Sequence, residues 1–202
     1  MDRYLLTATF RADGASVFAR NRKWGYFPSV ALAWNMAEEP FMEPARSVVS
    51  MLKPRVSYGT VGNAGGVGDN AFAAYYAQLA YNKQDNSPQT GVFLGRLENP
   101  DLKWETTEQW NAGLDLGFFD NRLNLSADLF IRDTKDMLVP GKMLPGVYGA
   151  TPPKENAANL RTKGFELAVS WYDQFNLGNK PFSYNLSFGL SDSKSVITKF
   201  DN

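Results

Sequence analysis

Apolar and polar residues alternate with a period of two along most of this chain. Over 104–118 one face reads Trp110, Ala112, Leu114, Leu116, Phe118, and the other Glu105, Thr107, Gln109, Asn111, Gly113, Asp115, Gly117. Segment 123–132 sets Leu123, Leu125, Ala127, Leu129 and Ile131 against Asn124, Ser126, Asp128 and Arg132. Segment 163–172 sets Phe165, Leu167, Val169 and Trp171 against Gly164, Glu166, Ala168 and Ser170, and 182–191 continues with Phe182, Tyr184, Leu186, Phe188 and Leu190. Weaker alternation runs through 4–13, 28–36 and 53–60. Such alternation is what a strand with one dry and one wet face produces, and helical spacing is absent from these stretches. The pattern predicts seven main strands, all antiparallel, in an all-β meander.

Connections and strand lengths add to this. Phe119–Arg122 is a tight turn, and 173–181, with Asn176, Gly178, Asn179 and Pro181, is a second short link. Long links are expected at 14–27, 61–103 and 139–160, with a medium one at 37–52 holding a helical turn after Glu38-Glu39-Pro40. Long and short links therefore tend to alternate, as when one end of a sheet is elaborated and the other trimmed. Several alternating runs persist for ten or more residues. Soluble sandwich strands average about 5–6 residues, whereas a membrane-crossing strand needs about 9–11. Aromatics sit at the ends of the apolar faces (Tyr4 and Phe10, Trp110 and Phe118, Phe165 and Trp171, Phe182 and Phe188). Outer-membrane barrels carry such girdles, but inward aromatics of a β-sandwich read alike, so pattern alone leaves both architectures open.

Composition narrows the chemistry more than the fold. The 202 residues hold 21 basic and 21 acidic side chains, no Cys and no His, with 14 Phe, 9 Tyr and 5 Trp. Disulfides, Cys-containing zinc sites and histidine-dependent catalysis are excluded within this chain. A strongly basic nucleic-acid binder is disfavoured, because phosphate neutralisation needs an excess of Lys and Arg. Mean hydropathy is −0.35 and no apolar run is long enough for a transmembrane helix. That average is blind to strands whose alternate residues are polar. The first residues show no leader pattern, and neither end shows an obvious capping element, so a segment of a longer protein is expected.

Several stretches resemble the C-terminal barrel of SusC/RagA-type TonB-dependent outer-membrane transporters. They are Tyr4–Phe18, Trp24–Trp34 with Glu38–Met42, Leu52–Asn63, Asn99–Gln109, Gly113–Leu123, Thr134–Leu138 and Thr162–Leu167. Their order and spacing match the family over almost all of 1–202, except 64–98 and 141–157, where outer loops vary. The resemblance implies a partial barrel domain without plug, TonB box or final strands. It implies nutrient import, of glycan or peptide, with a SusD-like surface lipoprotein above and TonB on the periplasmic side. It also orients the faces: Trp110, Leu114, Leu116, Phe118, Phe165, Leu167, Val169 and Trp171 toward lipid, and Glu105, Thr107, Gln109, Asn111 and Asp115 toward the lumen. The alternative class is a soluble β-sandwich that binds carbohydrate.

Other candidate chemistry is thin. Gly66-Val67-Gly68-Asp69-Asn70-Ala71 matches a dinucleotide-loop spacing ahead of a segment, 72–77, that a helix would fit. No βαβ series follows it, so a loop is expected. The carboxylate pairs Glu105/Glu108, Asp133/Asp136 and Glu38/Glu39 read as solvated charges rather than a glycosidase dyad. Asp69, Asp85 and Asp101 lack calcium-loop spacing. Arg11, Asp13, Arg20, Arg22 and Lys23 read as a salt-bridged loop base. Trp24, Tyr75, Tyr76, Tyr81 and Tyr148 are candidate substrate-contact aromatics, since rigid amphipathic rings stack on sugars or grip peptides. No catalytic residue, metal or cofactor is expected.

Overall fold

The computed structural model describes residues 3–68, 74–81 and 84–201. The strands are β1 (Tyr4–Gly14), β2 (Trp24–Trp34), β3 (Val49–Asn63), β4 (Ala74–Tyr81), β5 (Pro88–Arg96), β6 (Glu105–Phe118), β7 (Leu123–Pro140), β8 (Lys154–Leu177) and β9 (Lys180–Phe200). Seven of them form one antiparallel sheet in the order β1-β2-β3-β6-β7-β8-β9. Each predicted alternating segment coincides with one of these strands, except that 28–36 runs past the end of β2 into a 3₁₀ turn at Met36 and 104–118 begins one residue before β6. Most strands run longer than the alternation alone suggests, and β8 and β9 reach 24 and 21 residues.

The registers carry the alternation across the sheet. Leu6, Leu32, Val56, Ala112, Leu129 and Phe165 form one continuous row over six strands. The opposite face carries Thr9, Ser29, Gly59, Gln109, Arg132, Thr162 and Ser195 in a row over seven. A one-residue slip at any pairing would mix the two faces, so the side-chain pattern itself holds the register. No second sheet packs on the apolar face among the described residues, and its side chains stay exposed: Leu6 is 69%, Leu32 50% and Leu129 65% accessible. The sandwich reading required that cover.

Connections segregate by end. The β6–β7 and β8–β9 turns need only 119–122 and 178–179, the second shorter than the 173–181 link expected, with Gly178 at φ 65°. Phe119, Asp120 and Asn121 lie at φ 55°, 56° and 62°. Left-handed backbone is tolerable for Asp and Asn but costly for Phe. Neighbouring chain offsets that cost: Phe119 N–H donates to Val48 O (3.0 Å), Asn121 N–H to Ser50 Oγ (3.3 Å), and Asn124 Nδ2 to Asn121 O (2.7 Å). The same end carries the β2–β3 link, where the expected helical turn is a 3₁₀ helix over Pro40–Ala45.

At the opposite end the links are 15–23, 64–104 and 141–153. The longest is not plain loop. It contains the β4–β5 hairpin, a separate two-stranded sheet, and β4 occupies the stretch that a helix would have fitted. Backbone bonds between Thr151 and both Gly95 and Leu97 tie this hairpin to the β7–β8 link.

Candidate functional site

The polar face holds an ion-paired centre on three adjacent strands. Arg55 on β3 reaches Asp115 on β6 (Nε–Oδ2 3.2 Å) and Asp128 on β7 (Nη2–Oδ2 2.6 Å), while Ser126 Oγ donates to Asp115 Oδ1 at 2.8 Å. Gly113 lies directly opposite both Arg55 and Asp128, and an added Cβ there would meet the guanidinium at 2.5 Å. The glycine is therefore what lets the Arg cross from β3 to β7. Of the residues expected on this face, Asp115 joins the centre directly. Glu105 accepts from Asn63 Nδ2 (3.4 Å), Thr107 pairs with Thr134 (3.2 Å), and Gln109 accepts from Arg132 Nε (3.1 Å). Asn111 lies one row from the centre, and its Oδ1 has no partner among the described residues.

The apolar face is bounded by aromatics at both ends. Toward the short turns, Tyr4 stacks on Trp34 (6.2 Å), Trp171 Nε1 donates to Tyr184 Oη (3.2 Å), and Phe175 meets Phe182 (5.2 Å). Toward the long links, Phe10 stacks on Tyr26 (6.1 Å) and Tyr58 packs at a tilt on Trp110 (4.7 Å). Leu114, Leu116, Phe118, Phe165, Leu167 and Val169 lie between or on these limits in a single register. Beyond Trp110 the same face turns charged, with Glu108–Lys135 at 2.8 Å and Asp133–Arg161 at 2.6 Å. The carboxylates paired in sequence are thus separated. Glu105 and Glu108 point to opposite faces, and Asp136 sits in a bulge at φ 57°, bound to Lys103 (2.8 Å) rather than beside Asp133.

The most buried side chains of the described residues are not in either face. Phe18, Val67 and Leu102 are fully buried at the long-link end, one from each of the links β1–β2, β3–β4 and β5–β6. Trp104 packs on Phe18 (5.1 Å) and on the edge of Phe27 (5.5 Å). Phe27 occupies the space where side chains at Gly25 and Gly62 would otherwise stand, so both glycines are required by its close approach. Asn156 completes this brace: its Oδ1 accepts from Lys103 N–H (3.0 Å), and its Nδ2 donates to Lys103 O (3.0 Å) and Asp136 O (2.7 Å). None of these stands out in the sequence: Phe18, Val67 and Leu102 lie in links without periodicity, and Asn156 lies at the start of β8, ahead of its alternating stretch.

Trp24 opens β2 instead of lying in a loop, and shares the face of Tyr26 and Phe10 at 62% exposure. Tyr75, Tyr76 and Tyr81 belong to β4 and Tyr148 to a 3₁₀ turn, but their side chains lie outside the described residues. So do Asp69, Asn70 and Ala71 of the glycine-rich stretch. Of the expected loop-base cluster, Arg11 and Asp13 lie on β1 and pair at 2.8 Å, while Arg20, Arg22 and Lys23 stand in the following link.

At the short-turn end, Glu39 is only 7% exposed. It receives Trp34 Nε1 (3.1 Å), Tyr4 Oη (2.9 Å) and Arg3 Nη1 (3.4 Å). Those hydrogen bonds, from Trp34 first, then Tyr4, together with the Arg3 charge, hold its carboxyl below the usual range.

A long-stranded antiparallel wall with one exposed apolar face, aromatic limits, a polar opposite face and links enlarged at one end is the wall of a transmembrane β-barrel. Comparison with known proteins gives the family. The sequence model described as "TonB dependent receptor-like, beta-barrel" matches residues 1–201, and the chain belongs to that family. TonB-dependent receptor P3 of Formosa agariphila is 36% identical over 197 residues, covering 98% of this chain and 19% of the relative. TonB-dependent receptor SusC of Bacteroides thetaiotaomicron is 33% identical over 203 residues, covering 98% and 20%. The RagAB peptide importer in its open-open state superposes with a TM-score of 0.82 at 27% identity, covering 98% of this chain and 20% of that one. The chain spans about a fifth of the length of the curated relatives it matches.

Proposed function

We propose that this chain is part of the outer-membrane barrel of a SusC/RagA-type transporter that imports glycans or peptides with a SusD-like lipoprotein and TonB. The observation that carries this reading is the two-faced sheet, supported by likeness to SusC and to a structure described as a peptide importer. From Trp110 to Phe118 is eight residues. At ~3.4 Å each and ~40° tilt they span ~21 Å, close to the ~25 Å apolar band of such barrels. On this reading Trp110, Leu114, Leu116, Phe118, Phe165, Leu167, Val169 and Trp171 meet lipid. Glu105, Thr107, Gln109, Asn111 and Asp115 face the lumen, and Trp24 extends the girdle. Trp24, Tyr75, Tyr76, Tyr81 and Tyr148 remain the candidate substrate-contact aromatics. The role of the chain is passage rather than bond-breaking.

The test is labelling in the full-length transporter. Cysteines replacing Leu114 or Leu167 react with a membrane-soluble maleimide and resist a water-soluble one, whereas those replacing Asn111 or Glu166 do the reverse. Reversed labelling overturns the facing.

A further inference from the structure

The β4–β5 hairpin stands off the wall as a separate two-stranded sheet. Such a sheet is marginal in water by itself, and each of its outer edges presents unpaired N–H and C=O groups. The two edges here are treated differently. β5 begins at Pro88, which has no N–H, and near its end carries an extra residue, Gly95, between the pairs Ala74↔Arg96 and Tyr75↔Leu94. There Thr151 of the β7–β8 link takes up the main chain. Its N–H and its Oγ1 both donate to Gly95 O (3.2 Å each), and its O accepts from Leu97 N–H (3.3 Å). A proline, a bulge and a covering link are devices by which natural sheets close an edge.

β4 has none of these. Residues Ala74–Tyr81 include no proline, no glycine and no charged side chain, and the extra residue of the register shift is on β5. Among the described residues no further strand pairs with β4. The broad faces of the hairpin are bare as well: Thr90 and Val92 on one, and Gln89 and Gly91 on the other, are exposed. Every second residue of such a strand points both its N–H and its C=O outward. An extended polypeptide carries matching groups at the same spacing, and a glycan does not. The edge also lies in the longest link, at the enlarged end of the wall, where the proposed transporter meets its cargo.

We propose that the outer edge of β4 is a capture strand for peptide cargo, which adds to the hairpin as a third strand through main-chain hydrogen bonds. The inference rests on the transporter reading above and narrows the cargo met at this point to polypeptide. Recognition runs through the backbone, so it tolerates many peptide sequences. Only alternate residues of one short strand take part, so the peptide is held loosely enough to be passed on.

The test uses the full-length transporter with its lipoprotein partner, carrying the photo-crosslinker p-benzoylphenylalanine in place of Ala77, which is exposed on β4. The probe is a biotinylated, uncharged eight-residue peptide of Thr, Val, Ser and Gln. Competitors are the unlabelled peptide, the same peptide N-methylated at two adjacent central residues, and maltoheptaose. Adjacent N-methyl groups spoil both edges of the peptide and leave its side chains unchanged. The probe crosslinks at position 77 and the unlabelled peptide displaces it. The methylated form needs about tenfold higher concentration, and maltoheptaose does not displace it. Equal displacement by the methylated peptide overturns the proposal, as does displacement by maltoheptaose. So does a crosslink to the lipoprotein or to another part of the transporter that persists under excess peptide, because the edge is then permanently occupied. Correct labelling at Leu114 and Asn111 with no peptide capture sinks this site alone, whereas reversed labelling sinks the barrel facing whatever position 77 captures.

Discussion

Single residues in this wall act mainly by where they let other groups go. Gly113 admits the Arg55 guanidinium to Asp128, and Gly25 and Gly62 admit the Phe27 ring. Glu39 does the reverse and gathers three donors around one carboxylate. Because its folded-state pKa lies below the ordinary value, the stability it contributes is present above the unfolded carboxylate pKa. That contribution is lost as pH falls through the lower, folded value. Acidification of the full-length protein therefore loosens the link 35–48, read as faster proteolysis or amide exchange there. Glu39→Gln shows the loosened behaviour already at neutral pH. Equal link protection in wild type and variant across the acid range would show that Glu39 anchors nothing. The carboxylate was visible in the sequence only as half of a Glu-Glu pair, because its partners come from β1 and the end of β2.

Elements differ in how firmly they are joined. β1 pairs with β2 through all eleven residues of each strand, and β8 with β9 over nearly their whole lengths. β2 and β3 share only the five pairs from Ser29↔Gly59 to Ala33↔Arg55. Pro28 borders that seam at one end and Pro54 at the other, and neither has an N–H to extend the ladder. Above Pro28 the strands part and Phe27 fills the gap. Below Pro54 they leave a groove lined by Leu6, Leu32 and Trp34. Hydrogen exchange on the full-length transporter should find the amides flanking this seam, at 24–27 and 51–53, less protected than those of β8 and β9. Uniform protection across the sheet would mean that the short ladder is no weaker than its neighbours. Strand positions were legible from alternation, since burial of one face imposes period two. The hairpin β4–β5 was not, because it stands clear of the wall and belongs to neither face.

At the scale of the whole molecule, a wall with two bare edges and one bare apolar face cannot be stable by itself in water. The isolated 202-residue chain should aggregate without detergent, as followed by size exclusion and light scattering. A monomer that melts cooperatively in buffer would contradict the barrel-wall reading. The Phe18/Val67/Leu102 cluster and the Asn156 hydrogen bonds brace the long-link end, so the loops there stand on a packed base although the wall itself has no interior. The amino-acid sequence by itself determined the strands, the two faces, the aromatic limits and the separation of tight turns from long links. Each of these follows from local periodicity and turn chemistry, which are written in neighbouring residues. Only the tertiary structure decided that no second sheet among the described residues covers the apolar face, that Arg55 bridges two acids, and that three links share one small core. Those facts depend on register between strands tens of residues apart, and register is a property of the assembled sheet.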